Sequence, residues 1–149
     1  GKEDERKSIL RLIAEYNPFL LDVEFNTIQK DKKLASYLKK SKCKLLISWH
    51  DFKKTPNDAQ LKSRFNKMSR FSDMVKIVTV AKNVSDASRL LSLYSIKSKS
   101  KIVAFCMGEQ GKFSRILCLH LGSPFTYVSL GKAIAPGQFS VDEIKTLEN

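Results

Sequence analysis

The strongest constraint on this chain is its alternation of two hydrophobic periods. Glu3 to Tyr16 carries Ile9, Leu10, Leu12 and Ile13 at helical spacing, Asn17-Pro18 breaks it, and Phe19 to Phe25 follows as a strand. Helical spacing returns from Ile28 to Lys40, then a strand from Cys43 to Trp49. Pro56 and Asn57 open a helix running to about Arg70, and Met74 to Ala81 reads as a buried, β-branched strand. A helix over Ser85 to Tyr94, a strand over Lys101 to Cys106 and a helix over Gly111 to His120 continue the pattern. Phe125 to Val128 reads as a short fifth strand, and Val141 to Leu147 as a last helix with Ser140 as N-cap and Glu143 at the capping-box position. Strictly alternating β and α units predict a parallel sheet, covered on both faces or closed into a barrel. The units share no sequence repeat, and Ser95 to Lys101 reads as a solvated turn rather than a linker.

Bulk properties narrow the functional classes. A chain of 149 residues, 42% hydrophobic and 28% charged, fits one globular domain with a real core. No apolar stretch approaches the ~20 residues of a membrane-spanning helix, and the polar start from Gly1 to Arg6 is no secretory signal core. Cys43, Cys106 and Cys118 are widely spaced, odd in number and set in apolar segments, which points to reduced thiols in a cytoplasmic protein. No Cys/His spacing suggests zinc, so no metal is expected. The net charge of +12 invites a nucleic-acid partner, but no aromatic residues interleave with the lysines of 30–33 and 39–42 as stacking platforms would. The charge reads instead as solvated helix faces that also concentrate an anionic substrate.

Within the third strand stands one charge, Lys76. An unpaired buried ammonium is costly, and burial favours its neutral form. A neutral lysine amine attacks ketones and aldehydes to give a Schiff base. The competing reading is a strand-end lysine that snorkels to water. Polar residues at the carboxyl ends of strands line the active sites of such folds, and those ends supply Asp22 and Glu24, His50 in Ser48-Trp49-His50-Asp51-Phe52, Lys76, Met107-Gly108 with Arg115 just beyond, and Gly131 to Gln138. His50 suits proton transfer near neutral pH or is simply a loop histidine. His120 reads as packed or capping. Arg115 is either a bidentate carboxylate ligand or a surface arginine. Gln138 hydrogen-bonds a ligand or merely occupies a turn. Asp22 and Glu24 share a strand face; they orient His50, balance the positive charge, or pair with a lysine.

Five segments in order, Leu21 to Phe25, Ile47 to Pro56, Val75 to Ile77, Met107 to Arg115 and Ala133 to Gln138, resemble the type I 3-dehydroquinate dehydratases over essentially the whole chain. The resemblance implies a (β/α)8 TIM barrel, with residues 1–149 as the C-terminal part of a single barrel domain. It implies a lyase that dehydrates 3-dehydroquinate to 3-dehydroshikimate, in the shikimate pathway of aromatic amino acid biosynthesis. Lys76 would form the imine with the C3 ketone, and His50 would remove the C2 proton, protonate the departing C1 hydroxyl and assist imine formation and hydrolysis. Arg115 and Gln138 would hold the substrate carboxylate, with Met107 and Tyr127 as apolar walls. No diffusible cofactor is implied, and a homodimer is a common assembly. Ile134 stands where relatives often carry a hydroxyl residue, and Tyr127 where phenylalanine is common.

A closed barrel of this type needs roughly 200 residues or more, so this chain is expected to supply about the last five of eight strands. The earlier strands, absent from it, are expected to carry further substrate ligands and the acidic partner of the catalytic histidine. The alternatives are another Schiff-base barrel lyase of the aldolase or transaldolase type, which would cleave a carbon–carbon bond, and a catalytically incompetent barrel fragment.

Overall fold

The computed structural model describes residues 2–131 and 133–147; Lys132, within the stretch expected to lead into the closing loop, lies outside them. Four strands form one parallel sheet in the order of the sequence: β1 (Leu20–Glu24), β2 (Lys44–Asp51), β3 (Met74–Val80) and β4 (Lys101–Met107). Parallel neighbours need crossovers. These are α2 (Phe25–Lys30) with α3 (Lys32–Lys40), α4 (Asp58–Met68), and α5 (Val84–Leu91) extended by a 3-10 turn over Ser92–Ser95. α1 (Glu3–Glu15) precedes the sheet, and α6 (Ser114–His120) and α7 (Val141–Leu147) follow it.

Local chemistry sets these limits. Asn57 caps α4 by accepting from Gln60 N–H at 2.9 Å, and Asn83 caps α5 by accepting from Asp86 N–H at 2.9 Å. Ser140 and Glu143 form the expected reciprocal box at 3.1 and 2.7 Å. The helix expected over Ile28 to Lys40 is instead two. Asp31 leaves helical geometry at φ −115° and caps α3 by accepting from Leu34 N–H at 2.9 Å.

The sheet has two unlike faces because strand residues alternate. Val23, Ile47, Trp49, Val75, Ile77, Ile102, Ala104 and Cys106 face Leu34, Leu38, Leu61, Phe65, Met68, Ala87 and Leu90 from the helices. Burying each large aliphatic or aromatic side chain there contributes about 1.5–3 kcal/mol. The opposite face carries Asp22, Glu24, Ser48, His50 and Lys76 with Leu46 buried among them, and towards β4 it turns apolar through Val78, Val103, Phe105 and Met107.

The fifth strand does not form. Phe125 to Val128 runs beside β4 but joins no ladder among the described residues; the nearest pairing is an isolated bridge between Ser129 and Ser140. A strand is defined by backbone pairing, and here side chains hold the segment. Tyr127 packs on Phe105 at 5.9 Å and on Phe125 at 5.7 Å. No helix among the described residues is long and apolar enough to cross a membrane.

Candidate active site

Register brings the lysine and the histidine together. Lys76 pairs with Ser48 across β2 and β3, and His50 is the next residue of β2 on the same face. The Lys76 side chain is 9% exposed and donates to Asp22 Oδ2 at 2.5 Å. Asp22 comes from β1, two strands away, and its side chain remains 40% exposed. The premise of an unpaired ammonium is therefore corrected: a carboxylate from β1 lies on it. Nor does Lys76 snorkel to bulk water. Its Nζ sits 4.8 Å from the centre of the Tyr127 ring.

His50 Nδ1 is hydrogen-bonded to Glu24 Oε1. Of the roles open to the two β1 carboxylates, orienting His50 falls to Glu24 and pairing with a lysine to Asp22. The Nδ1 bond leaves Nε2 as the free nitrogen. Phe52 stacks on the imidazole with centroids 5.6 Å apart and planes 12° apart. The His50–Glu24 pair borders an open cleft of about 660 Å³ lined also by Glu3, Arg6, Lys7 and Lys30, with Arg6 paired to Glu3 and Lys7 to Asp31.

The loop leaving β2 is anchored from beneath. Asp51 Oδ1 accepts from the Lys53 and Lys54 N–H groups at 2.9 and 3.1 Å. Thr55, buried, donates to Val80 O at 3.0 Å and lies 2.7 Å from the Thr79 hydroxyl. Neither Phe52 nor Thr55 was singled out from sequence. Their only signal was membership of the segment that follows His50.

Arg115 is not a surface residue. It is 2% exposed, its Cζ lies 4.5 Å from the Phe105 ring centre, and Nη2 donates to Pro136 O at 3.4 Å. Its Nε has no hydrogen-bond partner, and no carboxylate pairs with it among the described residues. Burial pulls the guanidinium below its ordinary range. A buried cation without a counter-ion is an anion-binding feature.

The closing loop meets Arg115 through backbone. Pro136 O also accepts from Gly108 N–H at 3.1 Å. Gly137 has φ +69°, and a Cβ there would fall 2.6 Å from Gly108 O, so a side chain is excluded. Gln138 Oε1 accepts from Ile134 N–H at 3.0 Å and Ala135 N–H at 3.3 Å. Its carbonyl end thus braces the loop, and its NH2 end is the part suited to a ligand. Ile134 is 90% exposed. Met107, buried at the end of β4, packs with Val78, Val103 and Phe105. His120 is exposed at the end of α6, away from this cluster. Among the described residues no group of three or more His, Cys, Asp or Glu side chains is placed to hold a metal ion.

The family model for type I 3-dehydroquinase matches residues 1–148. A 3-dehydroquinate dehydratase of Pyrobaculum aerophilum is 42% identical over 144 residues, covering 95% of this chain and 46% of that protein. One from Dehalococcoides mccartyi is 40% identical over 147 residues, covering 97% of this chain and 65% of its own. The chain thus spans between about half and two thirds of these relatives. The crystal structure of a type I 3-dehydroquinate dehydratase from Clostridium difficile, with covalently modified comenic acid, superposes at a TM-score of 0.85 with 27% identity, over 99% of this chain and 60% of that one.

Proposed function

Because this chain belongs to the type I 3-dehydroquinase family, we propose that it carries the imine-forming lysine and the proton-transferring histidine of a hydro-lyase acting on 3-dehydroquinate in the shikimate pathway. The observation that carries the reading is the pairing of two acid–base couples on one sheet face, Lys76 with Asp22 and His50 with Glu24. The covalently modified ligand of the similar C. difficile structure supports covalent chemistry on this fold.

In this reading Lys76 Nζ gives up a proton and attacks the C3 ketone. Asp22, hydrogen-bonded to Nζ and partly exposed, stands between the amine and water and carries that proton away. The imine, better as an electron sink than the ketone, makes the C2 proton acidic. His50, held at Nδ1 by Glu24, takes that proton through Nε2 and returns it to the leaving C1 hydroxyl, which departs as water. Hydrolysis of the imine then frees 3-dehydroshikimate. Arg115 binds the substrate carboxylate, which supplies its missing counter-ion, and Gln138 adds a donor from the loop. Met107 and Tyr127 form the apolar walls.

The sheet is read as one arc of a (β/α)8 barrel, and residues 1–149 as the later part of that single domain. The cytoplasm is the proposed location, supported by three buried cysteines that are all free. A homodimer belongs to the same proposal and is tested by sedimentation. The chemistry is tested by adding borohydride to the protein with 3-dehydroquinate. One reduced adduct on Lys76 is expected, absent from Lys76→Ala, and a trapped adduct on another lysine would overturn the assignment.

A further inference from the structure

Burial does not explain the position of Phe52. The residue is 72% exposed, yet its ring lies on the His50 imidazole with centroids 5.6 Å and planes 12° apart. Parallel aromatic rings at that separation form an offset stack. The backbone that presents the ring is tied on both sides of it. Asp51 Oδ1 accepts from the Lys53 and Lys54 N–H groups at 2.9 and 3.1 Å, which turns the chain around Phe52. Thr55, 6% exposed, donates to Val80 O at 3.0 Å and lies 2.7 Å from the Thr79 hydroxyl, which fastens the loop to the end of β3.

We infer that Phe52 is a positioning residue: it fixes the plane of the His50 imidazole so that Nε2 meets the C2 proton of the substrate imine. The inference rests on the reading of His50 as the group that moves that proton. The bond from Nδ1 to Glu24 holds one atom of the ring. The ring can still swing about that contact, and a swing carries Nε2, on the far side of the ring, off the line of proton transfer. A constraint on the face of the ring removes that motion. Glu24 on β1 and Phe52 on the loop after β2 supply the two constraints from different elements, one on the edge and one on the face. The proton-transfer step keeps its balance. The C2–H bond breaks, its electron pair forms the C2–C3 double bond, the imine π pair moves to nitrogen, and the proton goes to Nε2. Phe52 acts only through the imidazole.

The test is a single-turnover experiment. The full chain in excess is mixed with 3-dehydroquinate, quenched with borohydride at successive times, and the adducts on Lys76 are weighed. The substrate adduct is heavier than the product adduct by one water, so conversion of one into the other times the step assigned to His50, apart from hydrolysis of the imine. In Phe52→Ala this conversion is expected to slow about tenfold, short of the roughly 10²-fold that an ångström of misplacement costs, because Glu24 still holds Nδ1. Phe52→Leu keeps an apolar side chain without a plane and is expected to be as slow; Phe52→Tyr restores the plane and the rate. Melting temperatures are expected to stay near the wild type, because the side chain lies mostly in water. Equal conversion rates in the wild type and Phe52→Ala, with His50→Ala slow, overturn the positioning role and leave the reading of His50 standing. A rate restored by Phe52→Leu, or a slowing matched by loss of folded protein, also overturns it, because the ring would then serve packing alone. If Phe52→Ala fails to fold, Phe52→Leu carries the test. Equal rates in the wild type and His50→Ala, or no adduct in the wild type, overturn the proposed chemistry and the positioning role with it.

Discussion

Two buried cations lie on this face of the molecule, and the protein treats them in opposite ways. Lys76, on the rigid sheet, has a carboxylate from β1 on its ammonium and an aromatic ring beside it. Arg115, on α6 beyond the last strand, has a ring and one backbone carbonyl, an orphan Nε and no counter-ion among the described residues. A buried charge that is paired at home is ready to be used; one left unpaired is complete only with an anion from outside. In the proposed function the lysine side of the site therefore serves chemistry, and the arginine side recognition. Arg115 and Gly108 share the Pro136 carbonyl, so the residue proposed to bind the substrate's carboxylate also holds the loop.

The contrast breaks first at Lys76. Lys76→Ala is expected to lower turnover of 3-dehydroquinate by on the order of 10⁴-fold or more, the scale on which loss of a covalent nucleophile acts, measured under substrate saturation with purified protein. Residual activity within tenfold of the wild type would reduce the lysine to a structural ion pair. Arg115→Met sharpens the other side. KM is expected to rise about 10–100-fold, as loss of one charged hydrogen bond of roughly 1.5–3 kcal/mol requires. Thermal stability is expected to hold or improve, because an apolar side chain replaces an uncompensated charge. That pairing of weaker binding with an undiminished melting temperature separates a recognition arginine from a structural one. Asp22→Asn inverts the comparison by giving Lys76 the condition of Arg115. It is expected to cost about 1–2 kcal/mol in denaturant unfolding, less than the roughly 3–5 kcal/mol of breaking a fully buried pair because Asp22 is partly exposed.

The same division decides how much of the molecule was legible in its sequence. β1 to β4 stood out because each is a short, largely apolar run whose alternate residues meet helices, a pattern set by burial. His50 and Lys76 stood out because polar residues at strand ends are conspicuous against those runs. Which carboxylate meets which cation was not legible. Asp22 and Glu24 differ only in which partner the β1–β2–β3 register brings near, and register is a property of the assembled sheet. Phe125 to Val128 misled for a related reason. Its aromatic residues suit a strand, but strand formation requires a neighbour's backbone, and here side-chain contacts hold the segment beside β4. Whether Arg115 is a buried ligand or a surface arginine was not legible, because only the folded loop, through Pro136, reveals its burial. The break at Asp31 was hidden by the lysines around it, whose helical propensity is sound on both sides.

The smallest effect concerns the far side of the sheet, where ordinary helix-end electrostatics operate without ligand chemistry. Asp86, in the first turn of α5, accepts from Lys82 N–H at 2.9 Å and pairs with Arg89 at 2.9 Å. The backbone bond first, and then Arg89, hold its carboxyl below the usual range, against the opposing pull of burial. A carboxyl depressed in the folded state adds stability that is fully present above the unfolded value of about 3.9 and is lost as pH falls through the folded value. Asp86→Asn is therefore expected to lower stability modestly at neutral pH and to flatten the acid limb below about pH 4, read from melting temperatures across pH 2–7. Arg115 behaves otherwise. A guanidinium stays protonated across that range, so its burial cost is constant there and Arg115→Met is expected to shift the whole curve without changing its slope. A slope change in Arg115→Met, or parallel curves for Asp86→Asn and the wild type, would mean that the two charges are held differently from the way their contacts describe.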